Sequence, residues 1–374
     1  MTAFHPFLPL ESRGCERGAP MQGGELGPLP LDSTVVRKFN PIARENGGVV
    51  MRRPSLPVLP ILGILTAIAP TSAFAWHNQG HMMVAEVAWQ HMTLGAQCRA
   101  VWLLKSKKEY RRGLQNPSNV PAGEALFVNA ATWPDRIKGA SPVFHQDGDD
   151  ANAVGANASL NVGLADKLMH KYWHFADFPV PVSDPHTVPA VNALERIKLF
   201  TQVLSDPSSS KALKAYDFAW LLHLVGDVHQ PLHMANQYGS VFGSYGNDAG
   251  GNGVHVAYPG YHELHGFWDG APGDNGDNTS VLDISIAAAR ALADAPAAQA
   301  AISDVDAWGK ESYNLAVSDA YAAPVVLQSV GPITLTSTYV SNAQTVSKAR
   351  VALAGARLAN LLNGALIWPT SACP

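Results

Sequence analysis

The sequence predicts a mainly all-α fold, a single helical domain with long loops and little β-structure. Three observations point that way. Apolar residues recur at helical spacing in several well-separated segments, alternating pattern is confined to two short stretches, and neither an internal repeat nor an interdomain linker interrupts the chain.

The first 75 residues read as lying outside that fold. Residues 1–50 are rich in Gly, Pro and Arg without an apolar period, which marks a non-structural extension, with Met51 as the expected true start. Met51-Arg52-Arg53, the apolar run Leu56 to Ala69 and the small-x-small site Ala73-Phe74-Ala75 have the order of a secretory signal peptide, 51–75. Export to the periplasm or the medium is therefore expected, and Arg52-Arg53 also admits a twin-arginine route. Pro57 and Pro60 break the run, which falls short of the roughly 20 apolar residues of a membrane span. No stable membrane association is expected. The domain proper is then 76–374.

Within it, Gly80 to Gln90 places Met83, Val84, Val87 and Ala88 on neighbouring turns of a helix. Ala190 to Leu204 and Lys211 to Val228 read the same way, the latter through Ala219, Leu222 and Val225. Near the end, Ser341-x-x-Gln344 resembles a capping box opening a helix that carries Val346, Ala349, Leu353, Leu358 and Leu361 and stops at Gly364. Strand pattern is limited to Val254–Tyr258 and Ile333–Val340. Two irregular stretches, about 139–161 and 237–253, are long enough to be functional or mobile. Cys98 and Cys373 are permitted to pair in an exported protein; the alternative is two unrelated thiols. Asn157 and Asn278 fit a glycosylation pattern.

Composition narrows the chemistry. Charged residues are 15% of the chain and the net charge is −4, so no basic face advertises a polyanion partner. The 14 histidines, however, gather with aspartates in spaced clusters. His223 and Asp227 are four apart on one predicted helix and share a face; Pro231 ends that helix, and the turn brings His233 back. His265 and Asp269 repeat the spacing. The other elements are Trp133-Pro-Asp135-Arg-Ile-Lys138, Trp173-His174-Phe175-Ala-Asp177 and the presumed new N-terminus, Trp76-His-Asn-Gln-Gly80-His81. A single pair of this kind is more simply a hydrogen bond on a helix surface. Five such elements without cysteine favour a multinuclear zinc site.

From Trp76 to Asp269 these motifs resemble the S1/P1 nuclease family of zinc enzymes, and more distantly bacterial zinc phospholipase C. The resemblance implies three Zn2+ ions on nine ligand residues: Asp135, His174, His223 and Asp227 on the first, His233, His265 and Asp269 on the second. The third takes Trp76, through its amino nitrogen and carbonyl oxygen, with His81 and a bridging Asp227. Three zincs less three aspartates leave about +3 at the site, enough to hold a phosphodiester without a basic surface. The implied reaction is endonucleolytic hydrolysis of single-stranded DNA and RNA to 5′-phosphorylated products, with 3′-nucleotides as further substrates, by a secreted monomer. A zinc-bridging hydroxide oriented by Asp135 is the expected nucleophile. Lys138 either stabilises phosphate charge or forms a surface salt bridge with Asp177.

The resemblance also suggests Phe175 as a base-stacking surface, with Asp177 and Asn252 bonding the base; Phe175 as core is the alternative. The His233–Asn252 loop is longer than the family pattern. His229 reads as a supporting hydrogen bond behind the ligands and His255 as structural. His77, His91, His145, His170, His186 and His262 read as surface or supporting groups. The rival function is a zinc phospholipase C, against which Asp269 argues, since the lipases carry Glu there.

Overall fold

The structure, a computed structural model, describes residues 76–111, 119–140, 143–148, 159–181, 183–273 and 282–373. The chain divides into Met1–Thr66 and Ala67–Pro374, and the first unit lies outside the described residues. So do the leader segment 51–75 and the acceptor asparagines Asn157 and Asn278.

Helices dominate, in the order α1 Asn78–His91, α2 Leu94–Leu104, α3 Ala122–Ala130 and α4 Trp133–Lys138. A short strand β1 (Pro179–Val180) precedes α5 (Ala193–Ser205) and α6 (Lys211–Asp227). Then follow β2 (Asn236–Gln237), β3 (His255–Tyr258), β4 (Tyr261–Glu263), α7 (Leu264–Gly270), α8 (Leu282–Arg290), α9 (Ala297–Ala300), α10 (Val305–Leu315), β5 (Ile333–Thr334) and α11 (Ser337–Ala365). The strands form two small pairings, parallel β1–β2 and the three-stranded β4–β3–β5. No helix among the described residues is long and apolar enough to cross a membrane.

α6 is the centre of the fold. From Lys214 to Asp227 every residue is buried, as expected of a helix that is apolar on all sides. Ser210 starts it by accepting the Leu213 N–H at 3.2 Å. α5 packs along α6, and α2, α4 and α11 also touch it. α1 lies against α11, α8 and α3. The α1–α11 crossing is close because Gly355 has no side chain: a Cβ there would meet the Val87 Cβ at 2.4 Å.

Several boundaries differ from the sequence reading. The last helix begins at Ser337, capped by Thr336, whose hydroxyl accepts the Tyr339 N–H at 3.2 Å; the Ser341 box lies inside it. Ile333–Val340 is consequently strand only at Ile333–Thr334. Its β-branched and aromatic residues suggested a strand, but tertiary contacts prevail. Tyr339 is buried, donates its hydroxyl to Ala320 O at 2.6 Å and accepts the Trp268 indole N–H at 2.9 Å. α5 starts three residues later than expected, because Asn192 accepts the Leu194 and Glu195 N–H groups. α6 ends at Asp227, four residues before Pro231, so the proline does not terminate it. Cys98 and Cys373 are joined, with Cα atoms 5.3 Å apart, and the bond holds the C-terminal segment to α2.

One buried acid on α6 gives the stability a pH dependence. Asp217 is fully buried and accepts a single amide bond from Asn161 at 2.7 Å. Burial pushes its pKa up from 3.8 to about 8. Between these values the folded state keeps a proton that the unfolded chain has released, so stability falls as pH rises through the window, by up to about 1.4 kcal/mol per unit. D217N is expected to unfold at a higher temperature than the parent at pH 8, with the advantage shrinking towards pH 4. A difference that does not change with pH would refute this reading of Asp217.

Candidate metal centre

The C-terminal end of α6 brings the motifs together. His223 and Asp227 sit on one helical face as the spacing requires, and α1 lays His81 across them, its ring stacked on His223 with centroids 3.7 Å apart. That approach needs Gly226, where a Cβ would lie 3.0 Å from His81 Nδ1. α4 contributes Asp135 and Lys138, and the 3-10 turn Lys171–His174 contributes His174. After α6 the chain turns into a second 3-10 segment, Pro231–Met234, which carries His233. α7 supplies His265 and Asp269.

Three adjoining buried groups result: His81, His223 and Asp227; Asp135, His174 and His223; His233, His265 and Asp269. In each, the potential ligand atoms lie within 4.8 Å of one another. His81 Nε2 and His223 Nε2 are both 3.4 Å from Asp227 Oδ1, and His174 Nδ1 is 2.9 Å from Asp227 Oδ2. Asp135 Oδ1 is 3.5 Å from His223 Nε2, and its Oδ2 is 3.9 Å from His81 Nε2. In the third group His265 Nε2 lies 3.2 Å from His233 Nε2 and 3.6 Å from Asp269 Oδ2. Nitrogens with lone pairs do not crowd carboxylates and one another in this way without a proton or a cation between them.

The ring orientations show which atoms face the centre. His223 Nδ1 donates to Ala131 O, His233 Nδ1 to His174 O and His265 Nδ1 to Gly250 O, each at 2.7 Å. Their Nε2 atoms therefore face the cluster, the arrangement that backbone carbonyls impose on metal-binding histidines. His81 Nδ1 and Nε2, His174 Nε2 and Asp227 Oδ1 are buried without a hydrogen-bond partner. Orphaned polar atoms of this kind call for an ion.

Electrostatics agrees. Burial, and then His223, hold the His81 imidazole well below its usual range; burial, Lys138 and His223 do the same for His174. Burial, with the nearby Asp135 and Asp269 charges, pushes the Asp227 carboxyl well up. Asp135 is raised by burial, but Lys138, His223 and His174 more than offset this and hold it well below the usual range. Neutral imidazoles beside crowded aspartates form a donor set that suits a borderline-soft divalent cation.

The remaining sequence-predicted residues fall around this centre. Trp76 is fully buried, and its indole N–H donates to Gly226 O at 3.0 Å, one residue from Asp227. Lys138 is buried and pairs with Asp135 at 3.0 Å, so it is not the surface group of the alternative reading. Phe175 is largely buried, with its ring edge-on to His233 at 6.5 Å. Asp177 is buried just before β1, which the β1–β2 pairing sets beside the segment following His233. Asn252 donates its side-chain amide to Ala249 O at 2.7 Å and closes the turn whose Gly250 carbonyl holds His265. That turn needs glycine: Gly250 has φ +62, and a Cβ would lie 2.6 Å from Leu232 O. The long 237–253 loop is tied down by Asp248, which accepts from Gln237 N, Gln237 Nε2 and Tyr321 Oη.

Of the two readings open for His170, surface or supporting group, its burial rules out the first. It is fully buried in left-handed backbone (φ 47), stacked on Trp173 at 3.6 Å, with Nδ1 2.7 Å from Asp147 and Nε2 3.2 Å from Asp166. His229 is buried behind the ligands as expected. Its Nδ1 donates to Val225 O at 2.7 Å, and its Nε2 accepts from Arg357 at 3.0 Å.

Sequence reasoning missed Gln230. It is fully buried, its Nε2 donates to Asp269 Oδ1 at 2.7 Å and its Oε1 accepts the Leu232 N–H at 2.5 Å. The backbone donor fixes the amide orientation, so the side chain's N–H must face Asp269 and leaves Oδ2 towards His265. The available signal was its place inside His229-Gln-Pro-Leu-His233. Q230E retains an oxygen for Leu232 but presents a carboxylate to Asp269. It is expected to weaken divalent-cation binding at the His233–His265–Asp269 group about 10–100-fold, read by chelator competition. Unchanged affinity would show that Gln230 only caps the turn.

A model of the S1/P1 nuclease family matches residues 76–366. Nuclease S1 of Aspergillus oryzae is 26% identical over 221 residues, 57% of this chain and 59% of its own length. Nuclease P1 of Penicillium citrinum is 35% identical over 78 residues, 21% of this chain and 25% of its own. The chain thus spans less than two thirds of the length of these curated relatives.

Proposed function

The chain belongs to the S1/P1 nuclease family, and from that membership we propose an exported zinc-dependent nuclease that hydrolyses single-stranded DNA and RNA to 5′-phosphorylated products. 3′-Nucleotides are further substrates. The observation that carries this reading is the convergence of three buried His/Asp groups, with His81, His174 and Asp227 each burying a polar atom that has no hydrogen-bond partner. Asp135, His174, His223 and Asp227 fit a first zinc, and His233, His265 and Asp269 a second. Trp76, His81 and Asp227 fit a third. When bound, zinc supplies an acidic water, positive charge for the phosphoryl oxygens and stabilisation of the departing oxygen.

The chain's own groups then have distinct tasks. Asp135 is kept ionised by Lys138 and so accepts a hydrogen bond from the attacking water, orienting it towards phosphorus. Lys138, held at that carboxylate, adds positive charge beside the non-bridging oxygens. Phe175 gives an unpaired base a face to stack on, and Asp177 and Asn252 hydrogen-bond its edge; stacking is tolerant of sequence. The aromatic wall of Trp133, Trp173 and Trp220, with Trp220 5.3 Å from His174, excludes bulk water from one side.

Trp76 makes activity depend on processing. An internal residue offers only an amide nitrogen, whereas removal of the leader creates an amine, which sheds a proton (pKa about 8) on binding metal. Protein beginning at Trp76 is expected to bind three zincs and to lose nuclease activity with chelator. Protein with one further residue before Trp76 is expected to lose the third zinc and fall at least about tenfold in turnover. Full zinc content and normal turnover of the extended form would exclude Trp76 as a ligand. A processed, zinc-loaded protein that cleaves no phosphodiester would exclude the nuclease.

A further inference from the structure

At the other end of α6 from the metal centre lies a group of cations and indoles with no part in the site just described. α2 presents Arg99 and Trp102 three residues apart, hence on one helical face. Lys211, the first residue of α6, sits over the Trp102 ring with Nζ 3.4 Å from its centroid. Arg99 lies against the same ring at 4.0 Å and against Trp368 at 4.3 Å, the two indoles being 5.5 Å apart. Trp368 is held there by the C-terminal segment, which the Cys98–Cys373 bond ties to α2 and which Gly95 lets approach: a Cβ on Gly95 would meet Trp368 O at 2.4 Å.

Two features set this ladder apart from ordinary surface charge. First, no carboxylate among the described residues pairs with Arg99 or Lys211; burial, and then Arg99 itself, lower the Lys211 pKa, and burial lowers that of Arg99. The indoles hold two like charges together without neutralising them. Second, the chain leaving α2 continues the charge. Lys105, Lys107, Lys108 and Arg111 follow with a single acid, Glu109, in a protein that has 26 basic and 30 acidic residues in all. The three lysines and Lys211 are exposed.

We infer that this face, centred on Arg99, Trp102 and Lys211, is a second nucleic-acid site that binds the sugar-phosphate backbone of a single strand away from the metal centre. The inference rests on the nuclease reading. Lys211 and His223 are separated by 12 residues of α6, about 18 Å. Because α6 is buried between its two ends, a strand joining the centre to the ladder must run around the surface over more than that distance, a span that a dinucleotide cannot cover. Phosphates contribute affinity here, and the partly buried indoles with Arg99 offer stacking to unpaired bases.

The test compares a single-stranded oligonucleotide of about 20 nucleotides with a dinucleotide, using processed, zinc-loaded protein. K211E, at an exposed helix start, and R99Q/K211E are expected to raise KM for the oligonucleotide about tenfold with kcat unchanged, and to leave dinucleotide kinetics as they are. Log KM should also depend less steeply on log salt, by about 0.7 for each phosphate that the variant no longer neutralises. Oligonucleotide affinity by fluorescence anisotropy is expected to weaken in parallel; this readout decides the inference even if no substrate is cleaved, which would overturn only the nuclease reading. Unchanged oligonucleotide KM and affinity overturn the second site, as does an equal effect on both substrates. Exposed Leu94 and Ile367 lie on the same segments. If K211E abolishes binding to phosphatidylglycerol vesicles while oligonucleotide affinity is unchanged, the face serves a membrane and the inference is overturned.

Discussion

Asp227 closes α6 with no solvent exposure, at the end of the helix where the peptide dipoles already place negative charge, and Asp135 lies in the same cluster. Both circumstances oppose an ionised carboxylate there, and a protein that left it uncompensated would lose several kcal/mol. His81 and His174 do not supply the missing charge, because burial holds both imidazoles well below their usual range. Lys138 brings one cation, but it is engaged with Asp135. Much of the fold is arranged around this carboxylate: a glycine one residue before it so that His81 can approach, three histidines locked by backbone carbonyls, and indoles packed behind them. Together these set imidazole nitrogens around acids, which is what a divalent cation requires.

The turn that follows Asp227 is held from outside by charge of a different kind. Ser312 donates to Val228 O at 2.6 Å, Arg350 to His229 O at 3.3 Å and Arg357 to the His229 ring at 3.0 Å. Both arginines also pair with Glu311, at 2.9 and 2.7 Å. α10 and α11 thereby grip the chain between the first ligand cluster and Gln230, which in turn holds Asp269. Arginine suits the task because its planar fork serves several acceptors at once. The long C-terminal helix thus sets the spacing between candidate metal-binding groups that share no helix, although it contributes none of their residues.

How much of this was legible in the sequence depended on range. His223 with Asp227 and His265 with Asp269 were readable because i, i+4 geometry is local, and α1 and α6 announced themselves by period. The elements carrying Asp135, His174 and Trp76 were visible as His- and Asp-bearing motifs, but their assignment as ligands came only through family resemblance, since no spacing rule links α4, a 3-10 turn and a residue two positions ahead of α1. The supporting role of His229 was readable but the partners were not: the Arg357–His229 bond spans 128 residues and the His265–Gly250 bond 15. Local signals misled where tertiary packing outweighed them. The Thr-rich approach to α11 looked extended until Tyr339 was buried against Trp268, and sequence alone left His170 between a surface and a supporting role until two carboxylates and Trp173 were seen to enclose it.

Net charge misled for a related reason. A total of −4 argued against a basic face, yet the sum says nothing about where charges sit. At physiological ionic strength fields decay over about 8 Å. A phosphate near Arg99 and Lys211 therefore responds mainly to those two cations and the lysines beside them, and hardly to acids on distant surfaces. The same screening separates that face from the metal centre, about 18 Å along α6. Neither region can draw a strand to the other through the field. Any coupling between them must be covalent, carried by the strand itself, so that the length of the nucleic acid and not its net charge decides whether both are engaged.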